Sequence, residues 1–194
     1  NNGQKFLSKE DKEIEEDTKD DFFFIQQNST EKILQEVISL STGRLEKFGN
    51  YDFFKNIQVL TPTKKGPLGT RELNKALQNV LNPNIDELPE KANGGAIFRV
   101  GDRIMQIKNN YDITWEKENN QKQEYNIGGY KIPQKPEIGT GVFNGEMGTI
   151  LEIDEKEKVI KIQFDDEKIA WYGFTELEQI EHSYAITIHK AQRK

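Results

Sequence analysis

No cysteine occurs among the 194 residues. Disulfides, thiolate zinc sites and thiol catalysis are excluded at once. Only two histidines, His182 and His189, are present, too few for a His-rich metal site. No apolar run approaches the ~20 residues that a membrane-spanning helix needs. No apolar stretch follows the first lysines, so the start does not read as a signal peptide. A cytoplasmic protein without membrane contact is the expectation. Apolar residues are 34% and charged residues 31% of the chain, so part of it should be solvated. The net charge of −6 argues against a broadly basic nucleic-acid coat.

Charge is spread unevenly. Residues 1–21 hold four Lys and eight Asp/Glu and almost no apolar residues, the composition of a flexible acidic leader. Lys64, Lys65, Arg71 and Lys75 face one acid, Glu72, within 61–75, and Lys190, Arg193 and Lys194 face none within 186–194. Residues 146–181 hold eleven acids against four lysines. Two focused basic strips are therefore possible in an acidic protein.

Phe22–Ile25 is a short apolar run that suits a buried strand. Ser29 or its neighbours can cap a helix over 30–47, where Ile33, Leu34, Val37, Ile38 and Leu45 recur at helical spacing. Ile57–Leu60 reads as a strand ended by Pro62, Lys64–Thr70 as a loop, and 71–81 as a helix with Leu73, Leu77, Val80 and Leu81 inward. That rhythm is α/β with a parallel sheet. Residues 82–95 read as loop, and 98–107 as strand around a turn at Gly101-Asp102. A long polar excursion covers 112–140, and long loops tend to be functional or mobile. A β-meander then alternates through 145–153, 159–164 and 169–172, as in a small SH3-like barrel. Tyr184–Ile188 is a buried-type strand running into His189-Lys190-Ala191-Gln192.

Gly66–Thr70 is not a phosphate loop, because Gly69 is followed by Thr70-Arg71 rather than Lys-Ser/Thr. One reading is a Gly/Pro turn before a helix. The other places Thr61, Thr63 and Lys64 at the C-terminal edge of a sheet, where ligands bind in open α/β folds and where hydroxyls and an ammonium suit a sugar-phosphate backbone. Thr187, His189, Lys190 and Gln192 crowd donors onto a second strand end, which reads either as a solvated terminus or as a further contact to phosphate or base edges. Asp165 and Asp166 are adjacent, so a turn is the better reading than a general acid/base dyad.

Five stretches, in order and at matching spacing, resemble the C-terminal motor domain of RecD-like helicases, the exodeoxyribonuclease V alpha-subunit family of superfamily 1. They are Asp21–Ile25, Ile57–Asn74, Phe98–Asp112, Gly141–Ile150 and Tyr184–Gln192. The resemblance implies a RecA-like second motor domain, of the P-loop NTPase type, over 22–111 and 176–194. An inserted SH3-like barrel would occupy 112–175. It puts Thr61, Thr63 and Lys64 on motif IV, where the family often has Arg in place of Lys64. Thr187, His189, Lys190 and Gln192 fall on motif V, with Gln192 coupling DNA to the ATP cleft. The parent would be an ATP- and Mg2+-dependent DNA helicase, 5′-to-3′, acting in recombination or repair on single-stranded DNA. Its partners would be the first motor domain and other repair subunits.

The family continues motif V with Gly-Ser-Glu, whereas Arg193-Lys194 stand here. Motif VI, the phosphate loop and the magnesium-binding carboxylates are not in the sequence, so an inactive fragment with no ATP of its own and no catalytic residue is expected. The rival from another class is a non-enzymatic module whose barrel binds a protein or a nucleic acid.

Overall fold

The computed structural model describes residues 22–85, 87–117, 126–127, 130–131 and 135–191. The expected leader at 1–21 and the end of motif V, Gln192 included, lie outside the described residues.

Ser29 opens the first helix, its hydroxyl accepting from Lys32 N at 3.2 Å. That satisfies one orphan donor of the first turn. The helix α1 (Thr30–Ser39) does not run unbroken to residue 47. A wide turn at Leu40–Arg44 contains Gly43 outside helical dihedrals, and α2 (Leu45–Gly49) resumes beyond it. Glycine is a weak helix position, which puts the break there. Asp52 caps α3 (Phe53–Asn56) by accepting from Phe54 N and Lys55 N.

The strand β1 (Val59–Thr61) leads through a loop into α4 (Thr70–Leu81). Next comes a hairpin, β2 (Glu90–Asn93) and β3 (Ala96–Arg99), whose first strand and turn lie in the stretch expected as loop. Its turn residues Gly94 and Gly95 both take positive φ, the requirement of a tight hairpin. The chain continues through β4 (Arg103–Gln106), β5 (Asn110–Lys117), β6 (Asn126–Ile127), β7 (Tyr130–Lys131) and β8 (Glu137–Val142). Then follow β9 (Met147–Asp154), β10 (Val159–Phe164), β11 (Ile169–Gly173), a 3-10 turn at Phe174–Gln179 and β12 (Ile180–His182). The chain closes with β13 (Ala185–Thr187) and α5 (Ile188–Ala191).

Seven strands form one antiparallel sheet in the order β12-β4-β9-β10-β11-β5-β8. Ile180 of its first strand and Val142 of its last share a single apolar cluster with Ile104, Ile150, Ile160, Ile162 and Tyr172, so the sheet wraps around that core. Gly148 lets β9 and β10 approach, since a Cβ there would stand 2.6 Å from Gln163 O. Strands β4 and β12, which lie outside the expected span of 112–175, belong to this same sheet.

The parallel sheet is, among the described residues, two strands, β1 and β13. They pair in register Val59↔Ala185, Leu60↔Ile186 and Thr61↔Thr187. A small second core of Phe53, Leu73, Leu77, Tyr184 and Ala185 packs beside them with Leu34, Val37 and Ile57. The apolar run Phe22–Ile25 differs from expectation: it is in no strand and each residue is exposed. Apolar composition alone does not decide that a run joins a sheet, and here Phe23 packs edge-on against Phe48 of α2 instead. No helix among the described residues is long and apolar enough to cross a membrane.

Candidate nucleic-acid interface

Parallel pairing has a direct consequence for the candidate residues. Both strands run the same way, so Thr61 and Thr187 are register partners and the segments after them leave from one edge. Residues 126 positions apart in sequence are thereby brought together, and that edge is where open α/β sheets bind ligands.

The loop after β1 is tightly fastened. Thr61 Oγ1 donates to Leu68 O at 2.7 Å, and Thr63 Oγ1 to Lys65 O at 2.9 Å. Thr70 N donates to Thr63 O at 3.1 Å and Gly69 N to Gly66 O at 2.9 Å. Gly66 sits at φ +89°, a conformation that favours glycine. At Gly69 the reason is space: a Cβ would lie 2.6 Å from Lys65 O and 2.7 Å from Lys64 O. Lys64 therefore projects from a defined backbone.

Burial sorts the candidates. Thr61 and Thr187 are buried, whereas Thr63, Lys64 and His189 are exposed and Lys190 is half-buried. The turn of α5 begins at Ile188, so His189 and Lys190 stand on a helical turn rather than on a strand. Glu181 of β12 joins the two lysines: its Oε1 lies 3.8 Å from Lys64 Nζ and its Oε2 lies 4.0 Å from Lys190 Nζ. Gln192 lies outside the described residues.

Behind this edge is a buried polar joint that the apolar patterning does not reveal. Expected inward residues Leu73 and Leu77 are buried, but Val80 is exposed, and Asn74 and Gln78 take the remaining inner positions. Asn74 grips β13, accepting from Ala185 N at 2.8 Å and donating to Ala185 O at 3.0 Å. Asp102, wholly buried, collects five donors. Oδ2 accepts from Gln78 Nε2 at 2.6 Å and Arg99 N at 2.7 Å, and lies 3.0 Å from His182 Nε2. Oδ1 accepts from Asn82 Nδ2 at 2.7 Å and from Tyr184 Oη at 2.9 Å. Burial, together with Asp102, pushes the Tyr184 hydroxyl well above its ordinary pKa, so it stays a donor. These bonds tie α4, the β3–β4 turn and the β12–β13 connection into one unit. The only sequence signals were a polar pair on an apolar helix face and an acid after the Gly101 turn.

The barrel commits its own charges. Arg103 makes a two-pronged pair with Asp165, at 2.5 and 2.6 Å, which makes Asp165 a strand fastener. Lys168 Nζ meets Glu146 at 2.8 Å and Asp166 at 3.2 Å. Burial would lower its pKa, but those two carboxylates outweigh burial and raise it. Among the described residues no group of three or more His, Cys, Asp or Glu could hold a metal ion.

Residues 73–164 match the family described as the ATP-dependent RecD-like DNA helicase SH3 domain, a span running from α4 to the end of β10. The chain is 32% identical over 136 residues to an ATP-dependent RecD2 DNA helicase of Deinococcus radiodurans, covering 70% of this chain and 14% of that protein. An uncharacterised protein of Methanocaldococcus jannaschii is 30% identical over 176 residues, covering 86% of this chain and 13% of that one. The chain thus spans about one seventh of these relatives. Among solved structures, a Pif1 helicase described at forked duplex DNA covers 88% of this chain and 40% of its own, at 15% identity and a TM-score of 0.31, too slight a likeness to argue from. Residues 73–164 are thus similar to the SH3 domain of RecD-like helicases, and the family match and the relative's identity together support a RecD-like superfamily 1 helicase fragment.

Proposed function

We propose that this chain supplies the single-stranded DNA grip of an ATP-dependent helicase, together with part of the wall of its ATP cleft. The observation that carries the reading is the register Thr61↔Thr187, which sets the two donor-ended strands on one edge. Lys64 and Lys190, with the exposed Thr63 and His189, supply donors for backbone phosphates. Thr61 and Thr187, being buried, position the segments that follow rather than touch the strand. The fastened loop holds the Lys64 backbone still, so a contact formed there transmits force instead of yielding.

In this reading β1, α4 and β13 belong to a RecA-like motor domain. The barrel, proposed as an insertion that extends beyond the expected 112–175 to include β4 and β12, guides the strand. The direction is 5′-to-3′, and the work is recombination or repair in the cytoplasm, in company with the first motor domain and other repair subunits. ATP and Mg2+ would be held by the rest of the parent, with Gln192 as the coupling residue.

DNA-stimulated ATPase and unwinding by the full-length parent test the proposal. K64A and H189A should reduce stimulation several-fold while leaving the DNA-free ATPase rate unchanged. If both variants unwind at the parental rate, the scaffold alternative is correct, with the barrel binding a partner and the α/β part merely carrying it.

A further inference from the structure

We infer that Glu181 is a built-in stand-in for a DNA phosphate. This rests on the reading that the β1–β13 edge grips a strand. Lys64 comes from the loop after β1 and Lys190 from α5, yet both ammonium groups meet the same carboxylate, one at each oxygen. A carboxylate offers one negative charge over two oxygens, as do the two non-bridging oxygens of a phosphodiester. An anion held by two cations from separate segments marks the place where a phosphate would sit.

Glu181 is free to leave that place. Its side chain is about half exposed, and the ion pairs are loose, at 3.8 and 4.0 Å. Exposed pairs of this kind contribute little and break readily. Its backbone is not free. It pairs with Met105 in the barrel sheet, and the next residue, His182, reaches the buried Asp102. Only the side chain can swing aside. Glu181 therefore faces the two lysines while DNA is absent and competes with phosphate when DNA arrives. A grip that must release at every step gains from a competitor for the same cations. The carboxylate also belongs to the barrel, so barrel and grip meet at this residue.

The test is fluorescence anisotropy of a labelled oligo-dT against the protein and its E181Q, K64A, K190A and E181Q/K64A variants. E181Q should tighten binding about three- to tenfold and steepen the salt dependence, by roughly 0.7 in log–log slope for the one charge it frees. The gain should shrink in the K64A background, because one of the two couplings runs through that lysine. E181A should tighten binding with the same sign. Thermal melts serve as a control, and E181Q should be unchanged there. If K64A weakens binding while E181Q and E181A leave it unchanged or weaken it, the stand-in is wrong and the grip stands. If K64A and K190A are silent as well, the grip itself is wrong.

Discussion

The barrel gathers thirteen buried side chains from eight strands and a 3-10 turn into one cluster, whereas the α/β part gathers five around two parallel strands. The first region is held by apolar burial and the second by polar fastening. Asn74 clasps the backbone of β13, Gln58 Nε2 donates to Ser183 O and Tyr184 O at 3.2 Å, and Asp102 binds three segments at once. The lesson concerns where function sits. The proposed grip residues lie on the sparsely packed side, and a buried carboxylate anchors that side to a well-packed one.

The largest effect should come from hollowing the stronger core. Ile160 is wholly buried, and I160A should cost about 2–5 kcal/mol in urea unfolding. L60A, at a residue about half exposed in β1, should cost far less. Equal losses would abolish the contrast between the regions.

Asp102→Asn attacks the joint. The amide replaces an acceptor with a donor among five donors, and hydrogen bonds to charged groups are worth about 1.5–3 kcal/mol each. A net loss of roughly 2–3 kcal/mol is expected, with hydrogen exchange accelerating in α4 and β13 but little in β9 and β10. Uniform acceleration would mean that the two regions unfold as one.

Gly69→Ala should cost about 1–3 kcal/mol, since its Cβ would overlap the Lys64–Lys65 backbone. Gly145→Ala is strained by φ +102° but meets nothing within 4 Å. Only the first should also weaken DNA binding.

High pH gives a gentler probe. Burial raises the hydroxyl pKa of Tyr172, with Glu146 and Glu176 adding to it, and Tyr184 is raised likewise. Above about pH 10 the unfolded chain releases these protons while the folded chain keeps them. Stability should then fall with rising pH, by up to about 1.4 kcal/mol per pH unit for each tyrosine. Lys168, raised despite its burial, acts in the same direction at still higher pH. Y172F should flatten this alkaline limb, as checked by denaturant melts from pH 8 to 11. An unchanged limb would contradict the burial account.

The sequence was most legible where pairing is local. Val159–Phe164 alternates cleanly, and β10 has those limits, because each of its neighbours is a hairpin partner. The strand ends carrying Thr61 and Thr187 were legible as motifs, but their adjacency depends on a parallel pairing across the whole barrel. Residues Phe22–Ile25 look like a core strand by composition, and composition does not say whether a run joins a sheet. The joint at Asp102 was hidden for a related reason. Asn74 and Gln78 lie on the buried stripe of α4, and a reading by hydrophobic period passes over polar residues that are buried because they are satisfied. In the sequence Glu181 is one acid among many, since only the fold sets it between two lysines.

The smallest effect on stability and the largest on function should fall on the same residue. Lys64 is exposed and its pair with Glu181 is loose, so K64A should change stability by less than about 0.5 kcal/mol. The most direct measurement is oligo-dT affinity across a salt series for the protein, K64A and, as a barrel control, K156A at the exposed 154–158 hairpin tip. K64A should weaken binding equally for all sequences and reduce the log–log salt slope by roughly 0.7, with K156A indistinguishable from the unaltered protein. A K64A slope equal to the unaltered one, or an equal loss from K156A, would contradict a grip at the β1–β13 edge.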